Sequence, residues 1–129
     1  MKHLFSLLIF LFTPIAFALC SDSVDQMEYR VCIAKKAEES SQKVKDKQRE
    51  LLEKIQNWDQ EPRYKNEAIS LLYSAMSSFE SFKTQQCNYE ASAAAGSNGG
   101  GTIGAQCWIR LNQDYLESIE SQLKWYDSY

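Results

Sequence analysis

The chain has 129 residues, 44% of them hydrophobic and 24% charged, with a formal net charge of -3. That length supports one domain with a modest core, and an acidic balance without clustered Lys and Arg argues against nucleic acid as a partner. Four cysteines and a single histidine, His3, leave little material for metal or imidazole chemistry.

Residues 1–19 open with Lys2 and His3, continue as an apolar run from Leu4 to Phe12, and end in Ala16, Phe17 and Ala18. The run is too short for a bilayer core of about 30 Å and the ending fits cleavage, so 1–19 read as a secretory signal peptide. Cleavage removes Lys2 from the 14 basic residues, leaving 13 against 17 acidic, a net charge of -4. Residues 20–129 then form a single domain, periplasmic or secreted, with no later run able to make a stable membrane span. Cys20 also raises a lipoprotein reading, but Leu19 stands where a lipid-attachment motif needs a small residue.

Ser23 and Gln26 fit a capping box at the start of the first helix. Met27, Val31, Ala34, Ala37, Ser41, Val44, Gln48, Leu51, Ile55 and Trp58 then recur at steps of mostly three and four, one face of a long helix with Ser41 and Gln48 as its soft spots. Pro62 ends that helix and can open the next. The second stripe runs through Ile69, Leu72, Met76, Phe79, Phe82 and Gln86, and alanines carry the helix to about Ala95. A glycine-rich stretch, Gly96 to Gly101, ends it. A third helix, expected to start near Thr102 to Ala105, runs through Trp108, Leu111, Tyr115, Ile119, Leu123 and Tyr126. The prediction is an all-α fold, a disulfide-stapled antiparallel bundle of three long helices.

All four cysteines, Cys20, Cys32, Cys87 and Cys107, follow the signal, and an even count in an exported chain reads as two disulfides. The short hairpin and the glycine loop gather them at one pole. Cys87 with Cys107 is favoured because it closes the loop, and Cys20 with Cys32 follows by default. That second pair is awkward if the helix starts at Ser23, and it is eased by a later start. Cys20 with Cys107 and Cys32 with Cys87 stays open.

No enzyme can be assembled from these residues. Gly99, Gly101 and Gly104 make a literal G-x-G-x-x-G, but a helix precedes them where a dinucleotide fold needs a strand. Acid pairs such as Glu38 and Glu39, Asp59 and Glu61, or Glu117 and Glu120 sit among Lys and Arg on polar faces, so surface charge explains them better than acid catalysis. Ser70, Ser74, Ser77, Ser78 and Ser81 lack a histidine base. No cofactor or metal is expected. Trp58, Phe79, Phe82, Trp108 and Tyr115 are read as packing, whereas Trp125, Tyr126 and Tyr129 near the chain end are candidates for a binding role.

CSDSVDQMEYRVC ahead of a charged helix, then AISLLYSAMSSFESFKTQQC, GSNGGG and CWIRLNQDYLESIESQL, resembles the LprI-like family of lysozyme inhibitors across nearly all of the chain after the signal. The family often has an Arg-Asp pair where this chain has Lys83 and Thr84, and Leu-Thr followed by Arg where this chain has Leu111, Asn112 and Tyr115. Those positions read as structural ion-pair partners or as part of the inhibitory surface. The resemblance implies an exported binding protein that inhibits lysozyme or a related peptidoglycan hydrolase, with an acidic surface suited to a basic enzyme. The cysteine-bounded end would occlude the cleft, with Ser97, Asn98, Gly99, Gly100 and Gly101 as the partner-binding loop. A periplasmic structural, assembly or immunity-type partner protein is the alternative.

Overall fold

The computed structural model describes residues 20–95 and 99–128. The segment 1–19 read as a signal, along with Ser97, Asn98 and Tyr129, lies outside the described residues. Among those described, all regular structure is helical: α1 Gln26–Gln56, α2 Pro62–Ala93 and α3 Gly100–Asp127.

The start of α1 differs from the expected capping box. Asp25 is the N-cap, accepting from the Met27 and Glu28 amides at 2.8 and 2.9 Å, while Glu28 reaches back to the Val24 amide at 2.9 Å. An aspartate accepts two otherwise orphaned amides and places a carboxylate at the positive end of the helix dipole, which Ser23 cannot do. Pro62 occupies the first turn of α2, where its missing amide costs nothing.

Helix α3 packs on both of the others, and α1 and α2 touch each other least. Contacts between α2 and α3 pair falling with rising numbers: Cys87 with Cys107, Lys83 with Asn112, Phe79 with Tyr115. Contacts between α1 and α3 rise together, from Tyr29 with Gln106, through Ser40 with Asn112, to Lys54 with Asp127. Thus α2 runs against α3, and α1 runs alongside it.

The core forms in two clusters. Leu51, Ile55, Ile119 and Leu123 pack with Ile69, Leu72, Tyr115 and Tyr126 toward the α1–α2 turn. Cys87, Cys107 and Leu111 pack with Phe79 and Trp108 toward the other end. A polar layer lies between them. Lys83, 1% exposed, donates to Asn112 Oδ1 at 2.9 Å and to Glu80 at 2.9 Å, and its ammonium lies over the Phe79 and Trp108 rings at 4.9 and 4.6 Å. Asn112, fully buried, donates through Nδ2 to Ser40 Oγ at 2.8 Å and Ser41 Oγ at 3.0 Å. All three helices therefore share one hydrogen-bonded knot.

That knot corrects two stripes. In α2 it is Lys83 that turns inward while Phe82 is 54% exposed, because Lys83 has a buried acceptor and two ring faces to receive it. In α1 Ile33 is buried, whereas Met27, Val31 and Ala34 face outward. Ser41, a soft spot in the pattern, is explained by Asn112. Gln48 is not, since its Nε2 is buried without a hydrogen-bond partner.

The junction between α2 and α3 corrects the glycine loop. Gly100, Gly101 and Gly104 belong to α3, which starts earlier than the composition indicates. A Cβ on Gly100 would lie 2.9 Å from the Ala91 carbonyl oxygen, and one on Gly104 would lie 3.2 Å from Ala91 Cβ. These glycines thus give close approach between helices, not slack in a loop. Gly101, by contrast, has open space where its Cβ would be.

Two stability predictions follow from this packing, each checked by chemical denaturation. Asn112→Leu strands the Lys83 ammonium and lowers stability by about 2–4 kcal/mol, whereas Phe82→Ser changes it by less than about 0.5 kcal/mol. Gly100→Ala destabilises, because the new methyl meets a backbone oxygen, and Gly101→Ala is neutral or stabilising by up to about 1 kcal/mol.

Candidate functional site

The end of the molecule where α1 and α3 begin and α2 ends is built by crosslinks. Cys87 and Cys107 are bonded with Cα atoms 5.4 Å apart, tying the last turns of α2 to the second turn of α3. Cys20 and Cys32 are bonded with Cα atoms 6.0 Å apart, so the chain before α1 folds back along its first two turns. The late helix start makes that possible: six residues from Gln26 to Cys32 rise only about 9 Å, and residues 20–25 span the return. Cys20 has φ 66°, and the Ser23 amide donates to its carbonyl at 3.3 Å, closing the bend.

Polar contacts bind the three helices at this end. Tyr29 Oη accepts from the Gln106 amide at 2.9 Å, joining α1 to α3. Arg110 donates to Glu90 at 2.7 Å, joining α3 to α2. The Gln86 amide, at 2.9 Å, and then Arg110 hold the Glu90 carboxyl below the usual glutamate range. A depressed carboxyl stabilises the fold above its ordinary value, so this contribution is present at neutral pH and lost as pH falls through the lowered one.

The surface so framed combines apolar side chains with carboxylates. Val24, Met27 and Val31 are 90%, 67% and 64% exposed on the outer side of α1 and the turn before it. Asp22, Asp25 and Glu28 lie among them, all exposed. Beside them Arg30 and Ala34 of α1 and Gly101, Thr102 and Ala105 of α3 line a shallow groove. Of the residues singled out as a binding loop, Gly99 caps α3 and Gly100 and Gly101 form its first turn, and only Gly101 has a clear outward side. Ser97 and Asn98 lie outside the described residues. The sequence reading placed Met27 and Val31 on the core stripe because their spacing continues it, and it singled out no role for Val24. Asp25 three residues ahead of Glu28 is the signal that marks where the helix starts.

The opposite end is structural. Trp58 meets Trp125 and Tyr126 edge-on at 5.8 and 5.5 Å, and Lys54 pairs with Asp127. Burial raises the Tyr126 hydroxyl pKa. Trp125 and Tyr126 are thus held in a ring cluster, in which Trp125 keeps 44% of its surface exposed. The acid pairs Glu38 and Glu39, Asp59 and Glu61, and Glu117 and Glu120 are exposed, and among the described residues no cluster of His, Cys, Asp or Glu could hold a metal ion. No described helix is long and apolar enough to cross a membrane.

The family described as "Lysozyme inhibitor LprI" matches residues 20–118, from the first cysteine to the middle of α3. No curated protein and no solved structure matches the chain. Its match begins at Cys20 and takes in both disulfides, the whole of α1 and α2, and the Lys83–Asn112 knot. This chain belongs to the LprI lysozyme inhibitor family.

Proposed function

We propose that the chain is an exported protein that binds lysozyme or a related peptidoglycan hydrolase and blocks its cleft with the crosslinked end. The observation that carries this reading is the family match over 20–118, which spans every element of that end. Two disulfides and the family point to a compartment outside the cytoplasm. The Sγ of Cys20, which a lipid thioether would require, is bonded to Cys32.

The blocking surface centres on the open side of Gly101, at the start of α3, with Met27 and Val31 exposed on the neighbouring stretch of α1. Exposed apolar side chains supply contact area that binding would remove from water. Asp22, Asp25 and Glu28 outnumber Arg30 and Lys36 around that area, and the acidic excess speeds encounter with a basic enzyme and fixes orientation more than it adds affinity. Because α1 and α3, which form this surface, each carry a disulfide near it, little conformational freedom is lost there on docking.

The test is the clearing of a cell-wall suspension by lysozymes of several classes, with the exported protein added in molar excess. Slowed clearing is expected for at least one class, and no slowing of any would remove the proposal. Gly101→Arg points into open space and leaves folding intact, so it separates site from scaffold. It should raise the inhibitor concentration needed by at least about tenfold, as should Val31→Glu, with the unfolding midpoint unchanged.

A further inference from the structure

We infer that α2 presents a face to a second copy of this chain, the two α2 helices docking antiparallel across a two-fold axis. Tyr64, Leu71, Phe82 and Tyr89 are 42%, 63%, 54% and 68% exposed, and Ala75 and Ser78 between them are exposed too. Their spacing is seven, four, three, four and seven. At 3.6 residues per turn those six positions fall on one stripe, about 38 Å long, on a flank of α2 away from its α3-facing side. The mean step near 3.5 is the spacing by which one helix packs along another.

The stripe is also nearly free of charge. From Ala68 to Tyr89 the charged residues are Glu80 and Lys83. They pair with each other at 2.9 Å, with Lys83 buried in the knot. Over that length, which holds Leu71, Phe82 and Tyr89, docking desolvates no lone charge, and charge depletion with aromatic enrichment is what distinguishes the centre of an interface from ordinary surface. Tyr64, beyond it, stacks with Arg63 at 4.5 Å and has Glu67 one turn away, at the polar rim. The serines at 70, 74, 77, 78 and 81, which serve no chemistry, keep the helix polar without charging it.

The pattern identifies the occupant. It reads the same from both ends about a point midway between Ala75 and Ser78: Leu71 and Phe82 lie equally far from it, and so do Tyr64 and Tyr89. A two-fold interface requires that where residue i meets j, j meets i. Antiparallel docking of two copies satisfies this, with Leu71 on Phe82, Tyr64 on Tyr89, and the small Ala75 and Ser78 at the crossing, where they let the backbones come close. An unrelated partner places no such demand on the order of residues. The face is separate from the groove at Gly101, and the inference does not rest on the proposed inhibition.

Sedimentation equilibrium of the exported protein at micromolar to hundred-micromolar concentration tests it. A dimer is expected; a monomer throughout overturns the inference. L71K and F82E should each raise the dimer dissociation constant by at least about tenfold, by burying a lone charge, while circular dichroism, and melting at concentrations low enough to dissociate the dimer, stay unchanged because both positions are exposed in the single chain. A dimer unaffected by F82E uses another face and overturns it. Mixing the two variants should restore association, since position 71 of one copy then brings a lysine to the glutamate at position 82 of the other and the remaining contact is native. Failure of the mixture to associate overturns the antiparallel arrangement.

Discussion

A single buried cation sets the geometry of this molecule. Lys83 lies in the interior with its ammonium shared between Asn112, Glu80 and two aromatic faces, and Asn112 in turn joins the serines of α1. Apolar seams alone tolerate sliding by a turn, since one Leu or Ile replaces another with little penalty. A buried ammonium does not, because moving α2 by one turn against α3 leaves it without its acceptor. The layer between the two apolar clusters thus fixes which residues of each helix lie side by side.

Register in the middle has consequences at the ends. With α3 held at Asn112, Cys107 meets Cys87 and Gly100 and Gly104 meet Ala91. The disulfide closing a separation of 20 residues contributes about 3 kcal/mol in the chain-entropy account. The glycines let α2 and α3 approach to the distance that this bond needs. The second disulfide holds the chain before α1 against its first turns and so fixes where Val24 and Met27 are displayed. The crosslinked end is stiff because a polar knot, two sulfur bonds and a close glycine seam all specify the same arrangement.

Helix number, helix limits within a few residues and the all-α class are readable from periodicity, because three amphipathic stripes dominate everything else in the chain. What periodicity does not carry is which of two neighbouring positions turns inward. Val31 and Ile33 are both aliphatic, and the choice of Ile33 comes from how α1 lies along α3. Phe82 is more apolar than Lys83, and hydrophobicity ranks them the wrong way round. Only the presence of Asn112, far along the chain and itself polar, makes the lysine the buried one. Composition likewise reads Gly100 and Gly101 as loop, since the contact with Ala91 that lets a glycine stay helical belongs to another helix. Of the proposed binding surface, sequence supplies the glycines and an acidic overall balance and leaves Met27 and Val31 hidden inside a core-like pattern.

Most exposed apolar residues fall on two faces, with Tyr73 and Trp125 outside both, and the division is physically coherent. Those at the crosslinked end stand among carboxylates, which suits a partner of opposite charge that must first be attracted across solvent. Leu71, Phe82 and Tyr89 on α2 stand in a stretch whose one ion pair, Lys83 with Glu80, lies within the helix, which suits a partner bringing no charge of its own. A copy of the same helix is such a partner, whereas a highly charged enzyme would have to strip water from side chains that α2 cannot satisfy. The same buried Lys83 that fixes the register also makes this flank neutral, because drawing the lysine inward removes the only cation from the middle of α2.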